Sequence, residues 1–173
     1  MSIPTYQGSV GIMRTVQACL EAELPAVLAT ASTGLGVTLD NVRSFWRGEI
    51  EPGDLNTPGC GVYVIGSTYL EASGANLYNV EHEVVIRLVV AESNASAYDA
   101  STYTDALHAY AQAACYTLSR YYVDGYGAAV GAITASVIDS TPQAYAGDAD
   151  RGEWMQTIET RVLITQRVAR WEA

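Results

Sequence analysis

The stretch Leu77-Tyr-Asn-Val-Glu-His-Glu-Val-Val-Ile-Arg-Leu-Val-Val90 decides how this chain folds. Tyr78, Val80, His82, Val84, Ile86, Leu88 and Val90 share one side of an extended backbone, and Asn79, Glu81, Glu83 and Arg87 share the other. Successive side chains of a strand point to opposite faces. The alternation therefore predicts a long strand with one dry face and one wet or partner-facing face. Ala91 to Ala95 breaks the pattern, and Ser96-Ala-Tyr-Asp99 reads as a capping box, in which Ser96 bonds the third helical amide and Asp99 reaches back. Tyr103, Leu107, Tyr110, Ala114, Leu118 and Tyr121 then recur at three- and four-residue steps. That stripe predicts a helix over 96–122, lying on the dry face of the strand before it.

Working outward, Trp154 to Val168 repeats the strand pattern. Ile158, Val162, Ile164 and Val168 share one face, and Glu159, Arg161, Thr165 and Arg167 the other. Charges on the two outer faces can pair across adjacent strands for roughly 0.2–1 kcal/mol each, which favours these two strands as neighbours. Val130 to Ser140 alternates weakly and reads as a strand, joined to the last one by the turn-rich connection Thr141–Gly152. Upstream, Gly61–Ile65 is a short apolar strand followed by Gly66–Leu70. The turn 72–76 makes it a hairpin with the long strand. Gly8 to Thr30 has a helical stripe of Val10, Met13, Val16, Leu20, Leu24, Val27 and Leu28, with Ser9 as N-cap. Pro25 either kinks this helix or opens a second one. Residues 31–61 are a long irregular segment or arm, containing one short strand within 41–50 and turn formers at Glu51–Asp54. The expectation is one α+β domain over 1–173, a largely antiparallel sheet with its helices packed on one face.

Composition narrows the function. The chain has 173 residues, 49% hydrophobic and 16% charged, which is enough to bury a core. Its formal net charge is −10, and its basic residues are all arginine. Such a surface is poorly suited to tracking a phosphate backbone or an anionic membrane. No apolar run approaches membrane-spanning length, and the N-terminus lacks the pattern of a signal peptide. Cys19, Cys60 and Cys115 are odd in number and widely spaced, which argues for free thiols rather than a disulfide framework or a zinc site. The 12 tyrosines suit core margins and surfaces where proteins meet.

No catalytic constellation emerges. Gly34, Gly36, Gly59 and Gly61 match neither a phosphate loop nor a dinucleotide fingerprint, and no Gly-x-Ser-x-Gly elbow occurs. His82 reads as a satisfied sheet-edge histidine and His108 as solvent-facing. Cys60, between two glycines, could be exposed and reactive, but no motif supplies it with a base. Asp148, Asp150 and Glu153 do not have the spacing of an EF-hand loop. No cofactor and no metal is expected.

The order of elements resembles the tail terminator, or tail completion, proteins of long-tailed bacteriophages: an N-terminal helix, an irregular segment, a hairpin, a helix on the sheet and a final hairpin. Gly61–Ile65, Asn79–Val90, Ser96–Tyr122, Ile133–Ile138 and Ile158–Val168 carry the resemblance. It is a likeness of pattern across most of the chain, without a diagnostic motif. It implies a virion structural protein at the neck: a hexameric ring of identical subunits, assembled in the host cytoplasm. The ring would cap the tail tube protein below and meet the head connector or stopper protein above. Alternatives are a tube or stopper subunit, or a small-molecule-binding or enzymatic α+β domain. Under the assembly reading, the candidate interface residues are Arg43, Trp46 and Arg47 in the arm, Glu81, Glu83, Arg87, Glu159, Arg161 and Arg167 on the outer strand faces, and Asp148, Asp150 and Arg151 in the last connection.

Overall fold

The computed structural model describes residues 8–49, 55–71, 77–92, 100–121, 125–127, 132–145 and 154–169. Two helices and five strands follow in the order α1 (Ser9–Leu35), β1 (Ser44–Arg47), β2 (Gly59–Glu71), β3 (Leu77–Glu92), α2 (Ala100–Ser119), β4 (Ala132–Tyr145) and β5 (Trp154–Ala169). The strands form one sheet in the order β1-β2-β3-β5-β4. Only β1 and β2 run parallel; the other three pairs are antiparallel. This is the expected α+β architecture.

The two long amphipathic strands are neighbours in the centre. Val84 stands opposite Val162, Ile86 opposite Thr160, and Arg87 opposite Glu159. On the front face, Val62, Val84, Ile86, Leu88, Ile158, Val162 and Ile164 meet both helices. Helix α1 adds Ile12, Val16, Cys19, Leu20, Leu24 and Leu28, α2 adds Leu107, Tyr110, Ala114 and Leu118, and the turn after α2 adds Tyr121. The predicted α2 stripe from Leu107 onward is thus the buried one. Its seat differs from the expectation: α2 lies mainly along β5, β4 and α1, with little contact to β3. The predicted cap at Ser96–Asp99 lies outside the described residues.

Several local expectations are corrected. Gly8, not Ser9, is the N-cap of α1, and as a glycine it has no side chain to cap the helix with. The helix runs through Pro25 without ending and continues to Leu35, so residues 31–35 are helical. Pro25 leaves the carbonyl of Glu21 without its helical amide, at a cost of ~3 kcal/mol. Burial of Leu24 and Leu28 on either side of the proline offsets this. Gly36 stops the helix in the left-handed region, at φ 66°. The register of the first turns also moves: Ile12 is buried, whereas Val10 faces solvent. Strand β2 is one long strand with an irregularity between Val64 and Gly66, rather than a short strand and a tail. Strand β4 extends to Tyr145 and carries Pro142, consistent with a place at the sheet's edge. Finally, the back face of β3 is not uniformly wet, because Val85 and Val89 are buried there.

Candidate functional site

The back of the sheet divides into a covered half and an open half. The covered half is built by β1. Its alternation sends Phe45 toward the core and Trp46 to the back, where Trp46 is buried. Gly59 and Gly61, two residues apart on β2, share that face. A Cβ on Gly61 would overlap the indole of Trp46, and one on Gly59 would come within 2.7 Å of Leu55 Cδ1. The glycines are the space in which the ring lies. The Trp46 indole N–H donates to the carbonyl of Gly48 at 3.1 Å. Gly48 has φ 122°, which lets the chain turn there directly after the strand.

Beside the indole lies a polar cluster. The Arg87 guanidinium donates to Glu159 Oε1 from Nε at 2.8 Å and from Nη2 at 2.6 Å. Nη1 donates to the carbonyl of Glu49 at 2.8 Å, which ties the arm to the sheet. The Tyr63 hydroxyl donates to the same Glu159 oxygen at 3.0 Å, and the guanidinium carbon sits 5.3 Å from the Tyr63 ring centre. Burial, reinforced by the hydrogen bond to Glu159, pushes the Tyr63 hydroxyl up to about 12. It therefore stays protonated and donating at neutral pH. The Arg87 and Glu159 side chains are only 15% and 18% exposed. This cluster fastens parts of the fold to one another.

The open half begins beyond Val64. Residues 65–70 of β2 are exposed, with Ile65, Tyr69 and Leu70 prominent among the large apolar side chains. Strand β1 pairs β2 only over Gly59–Val62. Among the described residues, no strand borders the outer edge of β2 from Val64 to Glu71. That segment carries no charge before Glu71. On the same half of the back face, Arg161 reaches Glu83 at 3.4 Å, both partly exposed, and Arg167 is exposed.

The predicted interface residues therefore separate into groups. Arg87, Glu159 and Trp46 hold the arm against the chain's own sheet. Arg43 pairs with Asp40 at 3.1 Å, both exposed, and Arg47 is exposed. Glu81, Glu83, Arg161 and Arg167 lie together on the open half of the back face. Asp148, Asp150 and Arg151 lie outside the described residues. Sequence reasoning missed Gly59, Tyr63, Ile65, Tyr69 and Leu70. The Gly-x-Gly spacing within Gly-Cys-Gly-Val-Tyr63 was an available signal for a close approach on one face of a strand.

The groups considered for chemistry are occupied otherwise. Cys60 is buried, not exposed; burial first, and the charge of Glu21 second, push its thiol up to about 12. A thiol so placed is not a nucleophile at neutral pH. Cys19 and Cys115 are free thiols as well. His82 lies in a central strand, not at a sheet edge, and is buried between Ser67 and Gln166. His108 is exposed and lines a cleft of about 400 Å³ with Leu35, Val37, Asp105 and Gln112. Among the described residues, no group of three His, Cys, Asp or Glu side chains could hold a metal ion, and no helix is long and apolar enough to cross a membrane.

No family model and no curated protein matches the chain. Among solved structures, a chain from a structure described as "Virion of native gene transfer agent (GTA) particle" is similar at 15% identity and TM-score 0.42, over 91% of this chain and 95% of that one.

Proposed function

We propose that this chain is a virion structural protein of a long-tailed phage or phage-like particle. In this reading it caps the tail tube as a ring, forms part of the head–tail interface, and acts by self-association and docking rather than by turnover. The observation that carries the reading is the order of elements on one sheet: helix, arm, hairpin, helix, hairpin. It is the order expected from the resemblance to tail terminator proteins. Fold alone does not assign function, so the surface has to supply the rest. A closed ring needs a heterologous contact between two different patches on each subunit. The open half of the back face, with Glu81, Glu83, Arg161 and Arg167, is one candidate. The connection bearing Asp148, Asp150 and Arg151 is the other, and Arg43 and Arg47 lie on the arm. Exposed ion pairs contribute ~0–1 kcal/mol each, so these charges would set partner and register more than affinity. The partners are copies of this chain, a tube protein and a connector or stopper protein.

Light scattering and negative-stain imaging, with and without purified tail tubes, test this. A ring, or a single capped tube end, is the expected result. Reversing Arg151 and Arg161 to Glu should leave folding intact and weaken assembly, more so at low salt, where repulsion is least screened. Undiminished assembly would remove these two residues from the interface. Long stacks of rings would identify a tube subunit instead. A chain that stays monomeric with tubes present would overturn the reading.

A further inference from the structure

His82 sits where the open half of the sheet meets the start of α1. The residue is 2% exposed, and its ring is bonded at both nitrogens. Nδ1 lies 2.8 Å from Ser67 Oγ, and Nε2 lies 3.0 Å from Gln166 Oε1. The same Gln166 oxygen accepts the backbone N–H of Gly8 at 3.2 Å. Gln166 is fully buried. An oxygen that already accepts from Gly8 fixes the tautomer: Nε2 carries the proton and donates it, and Nδ1 accepts from the Ser67 hydroxyl. One neutral imidazole therefore joins β2, β3, β5 and the N-terminus of α1.

We propose that His82, with Ser67 and Gln166, is an acid-sensitive latch, whose protonation releases the outer half of β2 and the start of α1 while the inner sheet stays formed.

Among the described residues, the surroundings give a cation no carboxylate to pair with. On the front face, His82 stands between Ser67 and Ile164, with Val80 and Val84 along its own strand. The titratable neighbours on that face are Tyr69, opposite Val80, and Tyr78, further along β3. Glu71 stands opposite Tyr78, four residues from His82 along the strand, or ~13 Å at the usual rise. From α1, Gly8 supplies an amide; the charged residue of its first two turns, Arg14, is exposed. The turn after α2 presents Tyr121, bonded to Thr15 at 2.6 Å. On β4, Ala132 stands opposite Gln166 and Ala135 opposite Ile164. Glu81, Glu83, Arg161 and Arg167 alternate onto the back face. Among the described residues, no carboxylate faces the ring. Burial accordingly lowers the His82 pKa from 6.5, against a smaller opposing effect of the Gln166 hydrogen bond.

A proton on Nδ1 would turn the Ser67 hydroxyl from donor to acceptor and place a positive charge in an apolar pocket. Water reaches that charge most readily through β2, because Ser67 and its strand neighbours from Ile65 to Leu70 are already exposed. The sign follows from the lowered pKa. The stabilising contribution is complete above pH 6.5, declines as pH falls and the unfolded chain takes up the proton first, and levels off below the folded value.

The test is a pH titration of the full chain by NMR, following the His82 ring and amide exchange together. The expected result is a ring pKa below 6.5, with protection at Gly8, Thr68 and Leu70, whose amides face β3 or Gln166, lost as pH falls through it while Ile86 and Ile158 remain protected. His82→Gln, which can hydrogen-bond but does not titrate here, should abolish that pH dependence. If the variant does not fold, the wild-type titration decides alone. A ring pKa at or above 6.5, exchange that ignores the ring's ionisation, or an unchanged pH dependence in His82→Gln would each overturn the latch.

Discussion

One strand of this molecule has two different environments. The inner half of β2, Gly59 to Tyr63, is buried on both faces, with the core in front and Trp46 behind. The outer half, Ile65 to Leu70, is exposed on both faces. Both halves carry strand-favouring types, Val and Tyr in Cys-Gly-Val-Tyr-Val and Thr and Tyr in Gly-Ser-Thr-Tyr-Leu, although the inner half is the more apolar. What separates them is cover. Strand β1 spans four residues and borders only the inner half, and both of its faces are used, Phe45 forward and Trp46 back. Intrinsic preference gave β2 its length, whereas tertiary packing decided which part of it is core. The inner half secures the fold, and the outer half is left available.

The largest effect should come from removing the cover. Trp46→Ala opens a void over Gly59 and Gly61 and should cost ~3–5 kcal/mol. At roughly 2–4 °C per kcal/mol for a domain of this size, the thermal midpoint should fall by about 10 °C. Gly61→Ala should be costly alone, because its Cβ overlaps the indole. In the double variant the clash is gone, so the two costs should not add. Additive losses in that cycle would show that the indole does not rest on Gly61.

This inner packing was only partly legible in the residues. Alternation in Leu77–Val90 and Trp154–Val168 specified two long strands, and their outer charges specified them as neighbours; Arg87 does stand opposite Glu159 and bonds it. The three- and four-residue spacing of α2 gave its buried face. Three kinds of feature were not legible. The passage of α1 through Pro25 depends on leucines that are buried only in the folded chain. The parallel pairing of β1 with β2 rests on a strand of only four residues, too short for a period to signal it. The charges proposed for partners were read from alternation alone, which cannot tell a wet face from one covered by its own arm. Arg87 and Glu159 share a pattern with Glu83 and Arg161, yet the first pair is nearly enclosed and the second is not.

That pair of pairs gives the intermediate test. Arg87→Ala leaves Glu159 partly buried with only the Tyr63 hydroxyl still bonded to it among the groups described here, and frees the carbonyl of Glu49 from its anchor. The expected loss is ~1–3 kcal/mol, the cost of leaving a buried polar group under-satisfied. Arg161→Ala removes a screened surface pair and should cost ~0–1 kcal/mol. Chemical denaturation of both variants checks the ranking. Equal losses would mean that the arm does not exclude water from the Arg87 side, and the two halves of the back face would then be equivalent.

The smallest effect on stability is expected in the outer half. Tyr69 is 72% exposed, opposite Val80 on the front side of the hairpin. Tyr69→Thr keeps a side chain suited to a strand and removes little buried surface, so the denaturation midpoint should move by no more than ~0.5 kcal/mol. If the uncharged edge from Val64 to Leu70 serves the proposed assembly, the same variant should still fold and yet give fewer rings or capped tubes in negative stain. The two readouts answer different questions. A midpoint that falls as far as that of Trp46→Ala would mean that the outer half is as much core as the inner, and the contrast between them would be lost. An unchanged midpoint with undiminished assembly would keep the contrast and exclude Tyr69 from the contact, leaving the proposed docking to the charged back face.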